Sequence, residues 1–372
     1  MSVPPLLREH RIYHADWLLR FARTGARLLQ AQQGLLQART QHWTHLTQRL
    51  QRLLGPLMPL LVVWTVLGIV GSAAGVRADV GEVLYDFPSP NYGPLEKGFT
   101  YVERMIETWQ HDPLITVAIE PHSPYLCAAG LLQRAAALAR ENGLPLVTHL
   151  SETRNEVDRI LDTYGRTPVA WLADLGVLGP NLLACHCVVL NAEDIAILKA
   201  HDVKVVHNPE SNMKLGAGIA PLTGLLAAGI AVGLGTDCCA SNNTLDLFQT
   251  MDITAKLHKV RDMQPTAADA QTVLTLATRG GARAIGMEDD IGSLEAGKKA
   301  DLIVIDTRQP HLVPMYHPVS HVVYAAKGSD VTTVIVDGHL LVRDRQLLHL
   351  DLGEIMARVN TLARAVGAKV TL

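Results

Sequence analysis

The sequence predicts an α/β protein: a (β/α)8-type barrel of parallel strands alternating with helices, followed by a small β module. Two observations predict it. Between residues 80 and 237, six short apolar runs each end in a polar residue and lead into a helix-like stretch. From about Gly292 the chain changes to β-branched segments with an Asp-Gly turn.

The six runs are VGEVLYD (80–86), LITVAIEPH (114–122), PLVTHLSE (145–152), LLACHC (182–187), VKVVHNPESN (203–212) and IAVGLGTD (230–237). The helix-like segments between them include LLQRAAALARENG (131–143), which closes on a glycine at the position that stops a helix. Every run has a His, Asp, Glu or Asn at or next to its end. In a barrel those C-terminal strand ends converge on one mouth, whereas a doubly wound sheet spreads them along an edge. No Gly-rich phosphate fingerprint follows any run, which weighs against a nucleotide cofactor. The later segments, GSLEAGKKADLIVID (292–306), HVVYAAKG (321–328) and VTTVIVDGHLLVRDRQLL (331–348), read as strands, with a hairpin at Asp337-Gly338. RIYHADWLL (11–19) is a candidate strand of the same module.

The 372 residues are 48% hydrophobic and 19% charged, enough for one large domain and a smaller module. A net charge of −3 gives no electrostatic reason for a nucleic-acid partner. Five cysteines without disulfide-type spacing read as free thiols of a reducing compartment, and MSVPPLLREHR lacks the order of a secretory signal. The expectation is a cytoplasmic protein.

One window breaks the composition. Residues 17–78 contain seven arginines but no Asp, Glu or Lys, and seven of the fourteen glutamines fall between Gln30 and Gln51. Within it, residues 53–76 are uncharged for 24 residues, long enough to span a membrane. Four glycines and two prolines interrupt them, which favours a buried apolar segment. The expected layout is therefore 1–16 as an N-terminal strand of the β module, 17–78 as an aberrant segment, 79–290 as the barrel, and 291–372 as a β-sandwich module with a terminal helix.

Chemistry concentrates at the strand ends. A lone His such as His149 is more often a satisfied core residue than a ligand. Here Glu152, His186 and Asp237 end the same or neighbouring strands. Imidazole and carboxylate donors can hold a divalent ion that lowers the pKa of bound water toward ~7, and a further Glu can move protons.

Residues 80–345 resemble the metal-dependent amidohydrolase superfamily, and within it the 5-methylthioadenosine/S-adenosylhomocysteine deaminase and chlorohydrolase-like branch. The resemblance rests on PHSPYLC (121–127), THLSET (148–153), CHCVVLN (185–191), VVHNPESNMKLG (205–216) and GLGTDCCASNN (233–243), with GSLEAGKKADLIVID marking the return into the β module. It implies His149 and Asp237 as metal ligands. It implies Glu152 as the group protonating a ring nitrogen, His186 as the partner of the attacking water, and Asp237 as proton acceptor as well as ligand. His122 and Asn208 are then substrate contacts, with Glu152. The implied cofactor is one divalent ion, zinc most readily and iron as the alternative. The implied substrate is a purine nucleoside or related heterocycle, with a homo-oligomer as a possible assembly.

The chain departs from that pattern. The family's remaining two ligands form a His-X-His pair on the first barrel strand, and none occurs among the sixteen histidines. Two strands and two ligands are missing where the acid-free window stands, as an out-of-frame stretch or deletion would leave them. His42 and His45 share a helix face but sit in no strand context, and read as a solvated helix. Weak metal binding and little turnover are expected. Cys238 occupies the family's usual Gly beside the metal Asp, and DFPSPNYGP (86–94) offers none of the expected arginines. The alternatives are an inactive homologue that keeps the fold, a chlorohydrolase- or guanine deaminase-like enzyme, and a membrane-attached protein using residues 53–76. Finally, Cys185 and Cys187 flank His186 at i±1, so an extended strand would turn them away from it, between barrel and helices.

Overall fold

The computed structural model describes residues 71–89 and 91–367. The expected strand at 11–19, His42, His45 and most of the apolar stretch 53–76 lie outside them. Among the described residues no helix is long and apolar enough to cross a membrane.

All six apolar runs form strands: β1 (Ala78–Leu84), β2 (Ile115–Pro121), β3 (Leu146–Leu150), β4 (Leu182–His186), β5 (Lys204–His207) and β6 (Val232–Leu234). They make one parallel sheet in the order β1-β2-β3-β4-β5-β6, so each strand pairs with its neighbour in sequence. Among the described residues β1 and β6 are therefore the two edges of this sheet. The intervening helices are α1 (Leu95–Trp109), α2 (Ala129–Asn142), α3 (Arg154–Tyr164), α4 (Pro168–Asp174), α5 (Ala192–Ala200), α6 (Pro209–Lys214) and α7 (Leu222–Ala227).

Local chemistry sets the boundaries. α2 buries Leu131, Leu132, Ala135, Ala136 and Ala139, an apolar stripe at helical spacing, and stops at Gly143 with φ +63°. Thr153 caps α3 by accepting from Glu156 N–H, and Asn191 with Asp194 forms a capping box on α5. The core lies between this helix layer and one face of the sheet. It includes Leu84, Ile119, Leu132, Leu146, Leu150, Leu182 and Leu225, none more than 1% exposed. Each such Leu or Ile contributes on the order of 2 kcal/mol by leaving water.

After β6 come α8 (Cys239–Asn242), α9 (Leu247–Asp262), α10 (Ala270–Thr275), a π-helical turn (Leu276–Gly280) and α11 (Gly281–Ala284). The β module follows as a four-stranded antiparallel sheet of β7 (Leu302–Ile305), β8 (Val331–Val336), β9 (His339–Arg343) and β10 (Gln346–Leu347). The Asp337-Gly338 turn is present, with both residues at positive φ (+49° and +77°) as a two-residue hairpin requires.

One expectation fails here. HVVYAAKG is not a strand, because its first half completes helix α12 (Pro318–Tyr324). Pro318 at the first helical position and the His317 ring accepting from Ser320 N–H start the helix, and these local signals outweigh the β-branched valines. Arg77, just before β1, pairs with Asp301 and Asp337 and so ties the parallel sheet to the hairpin. The described residues end in α13 (Leu352–Gly367).

Candidate active site

At the C-terminal ends of β2, β3 and β4 three imidazoles stand in a row. The ring centroids of His122 and His149 are 4.5 Å apart, and those of His149 and His186 are 5.4 Å apart, both stacked. Tyr85, following β1, packs on His122 at 5.2 Å, and Phe87 stacks on Tyr85 at 4.6 Å. Tyr125 meets His122 edge-on. Four strand ends thus share one lip, as the polar termini of the apolar runs predict.

The backbone bends sharply there. Ser151, His186, Cys187 and Asp237 have φ of +50°, +72°, +49° and +60°. Such conformations cost non-glycine residues about 1–3 kcal/mol each, and persist where surrounding bonds over-determine them. Here Glu156 accepts from Ser151 N–H and Glu152 N–H, at 3.0 and 2.7 Å. The Ser151 carbonyl accepts from Val188 N–H and Val189 N–H, and Cys187 N–H donates to the Leu150 carbonyl. Burial pushes the Glu156 carboxyl up to about 7, against the lowering effect of its backbone donors.

The left-handed turn at His186 corrects the reading of the CHC stretch. The segment does not stay extended, so alternation does not place all three side chains. Cys187 is fully buried in the helix-side core, as expected of it. Cys185 is paired in register with His149 and belongs to the opposite, site-side face. Burial raises its thiol to about 12, with the charges of Glu120, Asp237 and Glu152 adding to the shift. It is an inert thiol near the site rather than packing between sheet and helices.

Each candidate residue has defined partners. His149 Nδ1 lies 2.7 Å from the His122 carbonyl, which leaves its Nε2 free of that bond. His122 Nδ1 meets Ser123 Oγ at 2.9 Å. Burial, then the neighbouring His149 and His186, lower the His122 ring to about 4, so it stays neutral at pH 7. Asp237 follows β6. Burial alone would raise its carboxyl, but the Ser211 hydroxyl (2.6 Å), the Cys238 N–H (2.7 Å) and the nearby His186 and His149 hold it below the usual range. Asn208 is 5% exposed and lies against Gly235, where an added Cβ would come 2.2 Å from its Oδ1. Glu152 is half-buried beyond β3, its backbone held by Glu156.

Three residues that sequence reasoning missed hold these groups. Ser211 donates to Asp237, Asn212 Oδ1 lies 2.8 Å from His186 Nδ1, and Glu210 anchors their helix to Gln249 and Thr250 of α9. A run of five polar or proline residues after an apolar strand, Asn208 to Asn212, was the available signal. Glu156 was legible too, through the T-x-x-E spacing from Thr153.

A divalent ion asks for more than these residues bring. His149 and Asp237 are suitable donors, and the bond fixing His149 Nδ1 is the kind that orients a ligating imidazole. Yet among the described residues no group of three or more His, Cys, Asp or Glu could hold a metal ion, while zinc takes about four donors. The described set does not fit a complete metal site.

The chain matches the amidohydrolase family over residues 69–341. The 5-methylthioadenosine/S-adenosylhomocysteine deaminase of Syntrophobacter fumaroxidans is 55% identical over 294 residues, 79% of this chain and 67% of that protein. The 5′-deoxyadenosine deaminase of Methanothermobacter thermautotrophicus is 48% identical over 260 residues, 70% of this chain and 60% of that protein. A crystal structure of an adenosine deaminase from Xanthomonas campestris with bound zinc superposes with a TM-score of 0.79 at 36% identity, covering 82% of this chain and 69% of that one. The chain spans about two thirds of the length of the curated relatives it matches.

Proposed function

The chain belongs to the amidohydrolase family, and we propose that its mouth binds an amino-substituted purine nucleoside of the methylthioadenosine or S-adenosylhomocysteine type. The reaction it is shaped for is hydrolytic deamination. The observation that carries this reading is the row of His122, His149 and His186 at one lip, with the bonded Asp237 carboxylate at the end of β6. The identity of the relatives as nucleoside deaminases supports the substrate class.

The roles follow from residue chemistry. A neutral His122 offers the ligand a hydrogen-bonding and stacking surface without a charge. Glu152 is the proton carrier for a ring nitrogen, His186 faces the attacking water, and Asp237 accepts a proton. Asn208 borders the ligand. His149 and Asp237 supply only part of a shell for zinc or iron, so no step is assigned to an ion. We expect weak metal retention and low turnover from this chain. A nucleoside-binding protein without turnover is the second reading, favoured by the same incomplete donor set.

Metal analysis, calorimetric binding and ammonia release on the purified full chain decide between them, with methylthioadenosine, S-adenosylhomocysteine, adenosine and guanine as probes. Binding of the first two with little zinc and slow ammonia release is the expected result. Near-stoichiometric zinc with brisk deamination would overturn the low-turnover part. Absence of binding by every nucleoside would overturn the reading itself.

A further inference from the structure

Helix α6 is six residues long, and its Pro209, Glu210, Ser211 and Asn212 are all buried, the last two at 0% and 1% exposure. Buried polar side chains are retained where their bonds are used. Glu210 takes the amide of Gln249, 2.6 Å away, and the hydroxyl of Thr250, 2.5 Å away, which fixes the helix against α9. With the helix so anchored, Ser211 reaches Asp237 and Asn212 reaches His186, each across 26 residues of chain. The Asn212 amide makes one of its possible bonds: Nδ2 is buried without a partner among the described residues. An amide that leaves its NH2 unpaired is held in place for its oxygen.

We propose that Asn212 is a positioning residue that selects the His186 tautomer. Its Oδ1 accepts the Nδ1 proton, so the neutral ring carries its lone pair on Nε2. His186 closes β4 with a φ of +72°. At that bend pleating no longer dictates where the ring points, and a ring without this bond would also populate the tautomer with its proton on Nε2. The chemistry asked of His186 requires an acceptor, since taking a proton from water needs an unprotonated nitrogen. The tautomer is a property of the fold alone. Only its use as a proton acceptor rests on the deaminase reading.

The test reads the tautomer directly and does not depend on turnover. The full chain, labelled with 15N-histidine, is measured by two-bond proton–nitrogen correlation, with the His186 signals identified by their loss in His186→Gln. The wild-type ring should show a protonated Nδ1 and an unprotonated Nε2 as two widely separated resonances. Asn212→Asp keeps the acceptor oxygen and should keep that pattern. Asn212→Leu removes the acceptor, and the two resonances should move toward a common average. A wild-type ring with its proton on Nε2 would overturn the proposal, because the amide would then be donating. So would an unchanged pattern in a folded Asn212→Leu. Should Asn212→Leu fail to fold, a wild-type pattern in Asn212→Asp still supports the proposal and an altered one still counts against it. Failure of nucleoside binding would leave this pattern intact, so the two readings fail separately.

Discussion

Acidification should stress one buried contact that the mouth does not use. His207 ends β5 and His258 lies on α9; their Nε2 atoms are 2.9 Å apart, and they are 1% and 0% exposed. Burial first, then the charges of His258, His186 and Arg261, lower His207 to about 3. Burial first, then Arg261 and Lys259 against an opposing Asp262, lower His258 to about 4. The ordinary value is 6.5, so the unfolded chain binds these protons first and stability falls as pH drops below it. At pH 5 each ring favours the unfolded state by about 2 kcal/mol relative to pH 8. Glu82, Glu120 and Glu156, each raised to about 7 chiefly by burial, act in the opposite sense and gain stability as pH falls. The wild-type pH curve alone is therefore a sum of opposing effects, and the difference between two proteins isolates the pair. His258→Leu should cost about 1–3 kcal/mol at pH 8, because His207 loses its partner. It should then lose about 2 kcal/mol less than wild type on going to pH 5. Urea unfolding followed by tryptophan fluorescence at both pH values measures this. Parallel pH dependence in the two proteins would refute the assignment of that sensitivity to the histidine pair.

Gly280→Ala places a Cβ 2.6 Å from the Val232 carbonyl, a backbone atom that cannot turn away, and should cost about 1–3 kcal/mol in urea midpoint analysis. Gly130→Ala, in exposed helix with nothing within 4 Å, should be neutral or stabilising by up to about 1 kcal/mol in the same assay. A thiol reagent should react promptly with exposed Cys238 and Cys239 and reach buried Cys127 and Cys187 only on unfolding; prompt reaction of Cys127 or Cys187 would contradict the described packing. Asp301→Ala removes the acceptor of Arg77 and of the Asp337 N–H, and should lower stability by about 1.5–3 kcal/mol, most visibly as faster hydrogen exchange in the β8–β9 hairpin.

The layered architecture was legible because its signals are local. A short apolar run closed by polar residues forms a parallel strand whichever helix follows, and His122, His149, His186 and Asp237 could be located at strand ends from that pattern, though not their roles. Whatever depends on distant partners could not be placed. His207 and His258 meet across 51 residues, and Ser211 and Asn212 meet their partners across 26. The Cys185 reading failed for a related reason. Strand alternation holds only while φ stays extended, and the left-handed turn at His186 is imposed by contacts from outside β4. In HVVYAAKG the β-branched pattern pointed the wrong way because the deciding residues, His317 and Pro318, precede the run.

These two kinds of information separate binding from chemistry in this chain. The strained residues Ser151, His186, Cys187 and Asp237 come from three different strand ends, and each is held by a bond from another residue beyond its own strand. Each such conformation costs about 1–3 kcal/mol and persists because those bonds over-determine it. A binding surface needs only that organisation, supplied by α6, Glu156 and the histidine row. Water activation by an ion needs about four donors at one point, and among the described residues no group of three or more His, Cys, Asp or Glu could hold one. Affinity for a nucleoside and turnover of it should accordingly part company. The chain should bind methylthioadenosine through the same lip whether or not metal is supplied, with added zinc changing affinity little. Binding that appears only with zinc present would show instead that donors outside the described residues complete the site.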